Sequence, residues 1–262
     1  VDSVPLIVAS ILSKKLAEGL DGLVSDIKTG NGAFMVERNR ARDLAANLIE
    51  VAELAGLPSR ALITDMNQPL ASSAGNTLEV FEAIGYLRGD YRRPRVVDVV
   101  ERLGGEMLIL GGLADNLETA LGKIDTVLAS GLAAERFSRM VAMQGGPVDL
   151  LEAPHKHLVP APYIRDLPAP TQGCIRDIDT RAVGLSVVGL GGGRRQAGDR
   201  IDHRVGLTGF RLVGDMVQPG EPLLTIHAAD ESAWQVASDQ LLDAITIGYK
   251  TDALPAVYEL ID

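Results

Sequence analysis

The order of hydrophobic patterns near the start of the chain constrains its fold more than any other feature. A strand-like run at residues 23–28 ends in a glycine-containing loop, and a helical pattern follows at about 39–55. A second strand-like run covers residues 60–64. A strand, a helix and a strand in this order favour a right-handed crossover between two parallel strands. We therefore expect an α/β fold in this part of the chain.

Helical patterns dominate the middle of the chain, with pairs of glycines between some of them. The predicted helices lie at about 77–87, 94–110, 115–129 and 133–143. Six prolines then fall between Pro147 and Pro170, which is typical of an extended, semi-rigid linker.

The last third of the chain has a different pattern. Residues 171–228 are rich in glycine and contain short alternating runs such as Ala182–Val188 and Leu223–His227. A final helix is predicted from Asp230, a good N-cap, to about Ile247. The expected fold is an α/β lobe with parallel strands and several helices, followed by an α+β C-terminal domain. The expected bounds are 18–146 for the lobe, 147–170 for the linker and 171–262 for the C-terminal domain.

Composition excludes several classes of function. A net charge of −10 argues against nucleic acid as a partner, because acidic surfaces repel it. No apolar run approaches the ~20 residues of a membrane span, so we expect no membrane partner. The single Cys174 excludes an internal disulfide and fits a cytoplasmic location. The chain begins with Val1 and enters an apolar helix almost at once, so we expect it to be the C-terminal part of a longer protein.

Ser10 and Lys14 lie one turn apart in a segment that predicts a helix apolar on nearly every side. Pro5 suits the first turn of this helix, where a missing N–H costs nothing. Residues four apart share a face, and Ile7 and Ile11 place both polar side chains beside an apolar stripe. A buried hydroxyl and ammonium there would suit a planar ligand that offers a carbonyl and an N–H. The alternative is that Lys14 extends along its stem into solvent.

Two glycine motifs suggest chemistry that the surrounding residues do not support. Lys28-Thr29-Gly30 also occurs in serine β-lactamases, but Ser10 does not begin the Ser-x-x-Lys partner, because Ser13 stands three residues after it. The glycine loop at 189–195 invites a dinucleotide-binding interpretation, but Arg194 occupies the position of the third glycine and no helical pattern follows. We predict a β-hairpin turn there.

The histidines and a further turn motif do not indicate a functional site. His155 and His157 fall in the Pro-rich window without cysteine or carboxylate support, which favours a surface loop over a metal site. The run Gly214–Leu223 is similar to a turn of lipoyl-type β-sandwiches but has no carrier lysine, so we interpret it as structural. No Ser-His-Asp set or Cys-His pair stands out.

Six segments form an ordered series along nearly the whole chain. They are Val1–Leu6, Ala9–Gly19, Asp26–Phe34, Thr64–Leu70, Ala74–Asn76 with Glu79 and Val80, and Gly191–Gln196. This series resembles the pyrimidine nucleoside phosphorylase family. The resemblance implies reversible phosphorolysis, in which thymidine and phosphate give thymine and 2-deoxyribose 1-phosphate, as in pyrimidine salvage.

The resemblance also assigns site residues. Ser10 and Lys14 match a serine and a lysine that hold the carbonyl and N3 edge of the pyrimidine, and Lys14 would stabilise charge that develops on the departing base. Leu70, Ser73 and Glu82 match a site for a structural monovalent cation. Phosphate is the co-substrate, and no other cofactor is implied.

The family's phosphate loops and a base-binding arginine would lie before Val1, so the resemblance implies that the chain by itself is inactive. It also implies that residues 1–17 belong to a small helical lobe and that the intact protein is a homodimer. Three alternatives stay open: a broad pyrimidine nucleoside phosphorylase that accepts uridine, a non-catalytic pyrimidine-binding module, and a phosphoribosyltransferase of related fold. The Gly191–Arg194 turn in the β-rich domain argues against the last of these.

Overall fold

The computed structural model describes residues 3–262, which fold into alternating helices and strands. The helices are α1 (Val4–Glu18), α2 (Arg38–Leu54), α3 (Asn76–Arg88), α4 (Pro94–Leu110), α5 (Leu117–Ala129), α6 (Leu132–Met143), α7 (Pro154–His157), α8 (Thr180–Gly189) and α9 (Glu231–Ala244). The strands are β1 (Leu23–Thr29), β2 (Ser59–Asp65), β3 (Ser73–Ala74), β4 (Tyr163–Pro168), β5 (Gly173–Ile178), β6 (Gly206–Thr208), β7 (Met216–Val217), β8 (Pro222–Ala228), β9 (Ile245–Gly248) and β10 (Val257–Ile261). The expected mixed α/β class is confirmed.

The chain forms two compact units, each assembled from separate stretches. The first unit contains Val1–Met66, Pro94–Thr126 and Pro255–Asp262. The second unit contains Asn67–Arg93 and Val127–Leu254.

A three-stranded sheet in the order β1-β2-β10 organises the first unit. β1 and β2 pair in parallel, as predicted, and β10 adds to β2 in the antiparallel sense. The core on one face of this sheet includes Ile27, Ile63 and Leu44, and α1 joins it by burying Val8 and Leu12. Because β1 and β2 run in the same direction, Thr29 and Asp65 end side by side in the register, and both following loops leave from the same edge.

The second unit contains two antiparallel sheets. One has the order β3-β6-β8-β4 and the other has the order β7-β5-β9. α8 and α9 pack with them around a core that includes Val183, Leu207, Ile226 and Leu241. A smaller cluster joins α3 and α6 through Ile84 and Ala134.

Three predictions of local structure after residue 180 are wrong. Residues 182–188 belong to helix α8, because the Asp179 carboxylate accepts the Ala182 N–H at 2.8 Å as an N-cap and the helix buries Val183 and Ser186 on one face. The glycine loop at 189–195 therefore follows a helix, and no β-hairpin forms there. The final helix ends at Ala244, because the β-branched residues that follow it enter β9.

The Pro-rich window contains regular secondary structure. It contains the short helix α7, which replaces the predicted surface loop, and it contains β4, which pairs with β8 along its whole length. The extended backbone that the prolines favour is compatible with this strand, and Pro168 lies at its end, where a missing N–H is tolerated.

Candidate functional site

Ser10 and Lys14 lie on one face of α1, but that face is not buried. The helix buries Val8 and Leu12, which are four residues apart and face α2. Ser10 and Lys14 lie on the opposite side and are exposed, and Leu6 is 59% exposed. The helix carries apolar residues on more than one side, as predicted, but only one of these sides is buried.

Lys14 extends into solvent, as the alternative interpretation held. Its ammonium makes no hydrogen bond or ion pair with residues 3–262, whereas the neighbouring Lys15 pairs with Glu18 at 3.2 Å. An exposed ammonium keeps its full hydration, so it exerts a strong field on a ligand only where water is excluded.

Ser10 borders an open cleft of about 430 Å³ that belongs to the first unit. The other residues that line the cleft are Leu6, Ile7, Ile11, Phe34 and Leu44. A polar hydroxyl on an otherwise apolar wall is the usual composition of a small-molecule site, where the apolar surface covers a ring and a few polar groups orient it. Phe34 is 63% exposed, so its ring is accessible to a ligand.

The loop after β1 places Phe34 at this cleft. Gly30 adopts φ +117, and the Gly32 N–H donates to the Met66 carbonyl at 3.0 Å. The Thr29 hydroxyl closes the loop on the Val36 carbonyl at 3.1 Å. Phe34 had no predicted role; its position at the end of a glycine loop, after a strand of a parallel pair, was the available signal.

A polar cluster lies near the same end of β1 and β2. The Lys28 ammonium contacts Asp26 Oδ2 at 2.7 Å and Thr64 Oγ1 at 2.9 Å, and the Thr64 hydroxyl donates to Asp26 Oδ1. Asp26 and Lys28 are two residues apart on one strand, and Thr64 is opposite Lys28 in the register. The set therefore shares one face of the sheet, and Lys28 is committed to it rather than to a lactamase-like site.

A buried ion pair fixes the end of β2. Arg95 Nη2 lies 2.8 Å from Asp65 Oδ2, and the Asp65 side chain is fully buried. The Tyr258 hydroxyl donates to Asp65 Oδ1 at 2.8 Å, and the Arg38 guanidinium stacks 3.9 Å from the centre of the Tyr258 ring. This network joins α2, α4 and β10 at the point where the chain leaves β2.

In the second unit, Glu82 holds the loop that precedes β3. Its carboxylate accepts the Ser72 N–H at 2.9 Å and the Ser73 hydroxyl. The structure therefore brings Ser73 and Glu82 into direct contact, and Leu70 lies two residues before the bonded Ser72.

The two candidate histidines have structural partners. His157 Nε2 lies 2.6 Å from Asp149 Oδ1, and the ring of His155 contacts the Phe81 ring in a tilted arrangement with 4.9 Å between ring centres. Hydrogen bonds from Lys156 and His157 lower the pKa of Asp149 to about 2. Among residues 3–262, no group of three or more His, Cys, Asp and Glu side chains is placed to hold a metal ion.

The length and hydropathy of the helices bear on whether any of them could cross a membrane. Within the part of the chain that the structure describes, none of the helices combines the length and apolar character that crossing a bilayer requires.

Comparison with known proteins gives two family matches. The glycosyl transferase family a/b domain matches residues 1–134, and the pyrimidine nucleoside phosphorylase C-terminal domain matches residues 174–248. Three similar proteins are thymidine phosphorylases from Burkholderia cenocepacia strains HI2424 and J2315 and from Burkholderia orbicola strain AU 1054. Each is 48% identical over 262 residues, which are 100% of this chain and 60% of the relative.

The chain thus spans 60% of the length of these relatives. Both matches agree with the order of segments in the sequence and with the mixed α/β architecture. The a/b-domain match covers more than half of the chain, and the chain therefore belongs to the glycosyl transferase family that this a/b domain defines.

Proposed function

We propose that this chain carries the pyrimidine site of an enzyme that phosphorolyses thymidine to thymine and 2-deoxyribose 1-phosphate. The observation that carries the proposal is the position of Ser10 on the wall of the apolar cleft, with Lys14 one turn further on the same face of α1. The 48% identity to thymidine phosphorylases over the whole chain supports the same substrate.

Ser10 and Lys14 have different roles in this proposal. A hydroxyl can donate to a pyrimidine carbonyl or accept from the ring N–H, so Ser10 orients the base. When the glycosidic bond breaks, the sugar becomes oxocarbenium-like and negative charge spreads onto the oxygens of the base. The Lys14 ammonium stabilises that charge, which is larger in the transition state than in the bound nucleoside.

Because Lys14 is exposed, its contribution depends on water being excluded when the substrate is bound. The attacking group is the phosphate co-substrate, which adds to the sugar carbon as the base leaves. No protein nucleophile is needed, so a Ser-His-Asp set is not required by this chemistry.

The cleft also suggests how the base is selected. Phe34 and Leu6 expose large apolar surfaces there, and a methyl group at C5 of the pyrimidine gains by contact with such surfaces. One buried methyl is worth about 0.8 kcal/mol, or roughly fourfold in affinity. We therefore favour thymine over uracil, and a broad enzyme that also accepts uridine is the second candidate.

We further propose that Leu70, Ser73 and Glu82 take part in a structural monovalent cation site. The Glu82 carboxylate supports this site. It accepts two hydrogen bonds, from Ser72 and Ser73, which leaves further lone pairs of its oxygens for a cation. Carboxylate and carbonyl oxygens are suitable ligands for hard cations. Thermal unfolding in potassium chloride and in a bulky organic chloride at equal ionic strength tests this: stabilisation by potassium should be lost in Glu82→Gln.

Three further features remain part of the proposal. The intact protein is a cytoplasmic homodimer. Residues 1–17 belong to a small helical lobe in that protein. Along the sequence, the bounds 18–146, 147–170 and 171–262 divide the rest of that protein, and each compact unit of the fold combines stretches from more than one of these parts.

Thymine binding by the 262-residue chain tests the site. In isothermal titration calorimetry we expect thymine to bind, and we expect Ser10→Ala and Lys14→Met each to weaken binding by roughly fivefold or more, the scale of one lost hydrogen bond of about 1 kcal/mol. Ser13→Ala and Lys15→Met are matched controls on the same helix, away from the cleft. Equal losses in the controls would remove the site from this face. Turnover of thymidine by the 262-residue chain would contradict the expectation that this chain is inactive. If the intact protein binds thymine without turning over thymidine, the alternative of a non-catalytic pyrimidine-binding module is favoured.

A further inference from the structure

Helix α6 has apolar side chains on two opposite faces. One face packs into the cluster around Ile84 through Ala134 and Phe137. On the opposite face, Leu132 and Met143 are 55% and 79% exposed. A helix that lies on a protein surface usually has one apolar stripe, which faces the core. The second stripe on α6 is therefore not explained by the packing of this unit.

We use the name α6 outer face for this second stripe, which consists of Leu132, Arg136, Arg139, Met140 and Met143. These residues recur at spacings of three and four, so they form a continuous band along the helix. Two open depressions of about 900 and 350 Å³ flank the band and share Ala133 and Arg136. Val127, near the end of α5, adds an apolar side chain to the smaller depression and is 40% exposed, and Glu135 also lines this depression.

The charge of the α6 outer face is opposite to that of the chain. Arg136 and Arg139 are exposed and form no ion pair or hydrogen bond with other residues between 3 and 262. The chain as a whole has a net charge of −10. Two uncommitted guanidinium groups beside exposed methionines therefore form a local site for an acidic and apolar partner.

We propose that the α6 outer face binds an acidic amphipathic helix of a partner protein. Apolar side chains of that helix contact Leu132, Met140 and Met143, and its carboxylates pair with Arg136 and Arg139. Methionines suit this contact because their flexible side chains adapt to different apolar partners. A two-fold contact between two copies of α6 is disfavoured, because it would bring the same arginines together.

A synthetic probe tests this directly. The probe is a fluorescent amphipathic peptide of roughly 16 residues, with leucine every three or four positions and glutamate on its flanks, the pattern of helices that bind in grooves. A matched peptide has lysine in place of each glutamate. Fluorescence anisotropy with the full chain should show binding of the glutamate peptide only. Met143→Asp should abolish it, and the double charge reversal Arg136→Glu with Arg139→Glu should reduce it at least tenfold and allow the lysine peptide to bind.

Arg181→Glu is the matched control, because Arg181 is an exposed arginine on α8 in the same unit. It should leave binding of the glutamate peptide unchanged. Three results would overturn the proposal: no binding of the glutamate peptide, equal binding of both peptides, or equal loss in Arg181→Glu. Analytical ultracentrifugation gives a fourth result that would overturn it. If the chain sediments as a dimer and Met143→Asp dissociates this dimer, the α6 outer face binds a second copy of the chain.

Discussion

The hydroxyl of Tyr258 donates a hydrogen bond of 2.8 Å to Asp65 Oδ1, so the last strand of the chain holds a carboxylate at the end of β2. Arg95 approaches the other oxygen of the same carboxylate at 2.8 Å. The Asp65 side chain is thus fully buried with a partner at each carboxylate oxygen, at the point where the chain leaves β2.

Removal of Arg95 is expected to be strongly destabilising. Arg95→Met removes the Arg95 guanidinium from the buried Asp65 carboxylate, and breaking a buried ion pair in this way costs about 3–5 kcal/mol. Urea unfolding measures the loss. Lys15→Met is the control, because its pair with Glu18 is exposed and is worth about 1 kcal/mol at most. A similar loss in both variants would contradict the buried pair.

Gly206 is expected to reject any side chain. Its φ is +152, and a Cβ there would lie 2.2 Å from the Ala74 carbonyl oxygen and close to the backbone of Gly75, where β3 and β6 meet. Gly206→Ala should lower the free energy of unfolding by about 1–3 kcal/mol or more.

Gly184→Ala is the control for this variant. Gly184 lies within α8, and a Cβ there would meet nothing within 4 Å. The substitution should leave stability unchanged or raise it by about 0.5–1 kcal/mol, because alanine favours a helix more than glycine does. If thermal unfolding shows Gly206→Ala to be as stable as Gly184→Ala, the close approach of the two strands is wrong.

The Asp149 carboxyl is expected to titrate well below the ordinary range. Lys156 and His157 hold its pKa at about 2, against a usual value of 3.8. A lowered pKa in the folded state means that this group contributes stability above pH ~4, and that the contribution is lost as the pH falls toward 2. Carbon-13 NMR of the carboxyl group measures the midpoint. Lys156→Met should move it upward, whereas Lys123→Met should not. A wild-type midpoint near 4 would be inconsistent with the pairing seen here.

In an active form of the enzyme, Lys14→Ala should reduce kcat/KM for thymidine by about two orders of magnitude, the roughly 3 kcal/mol scale of one group that stabilises an oxyanion. The reason is that Lys14 acts mainly on charge that develops as the base departs. Steady-state kinetics with thymidine and phosphate measure the effect, with Lys15→Ala as the control. Near-normal activity of Lys14→Ala would remove this lysine from the reaction.

The sequence predicts the fold correctly where local sequence signals agree with the tertiary packing. Helix α4 has the predicted bounds because Pro94 begins it and Gly111 follows its last residue. The parallel pairing of β1 and β2 follows from the helix between them and the short loops on either side.

The missed elements depend on distant partners or on tertiary packing. The valines and glycines of α8 have low helix propensity, and burial of Val183 and Ser186 overrides it. β10 is five residues long and pairs with β2 from the other end of the chain, which no local pattern reveals. For the site, the spacing of Ser10 and Lys14 predicted their shared face correctly. It could not predict which face of α1 is buried, because apolar residues occur on both.

The position of β10 affects how the protein can be made and divided. The sheet that starts with β1 is completed by the final residues of the chain. During translation, β10 is therefore synthesised after the whole second unit, and only then can it pair with β2 and complete the sheet of the first unit. Cleavage of the chain at one peptide bond cannot release either unit intact. A short C-terminal deletion would remove β10 and so damage the first unit, which bears Ser10, although the residues just before β10 belong to the second unit.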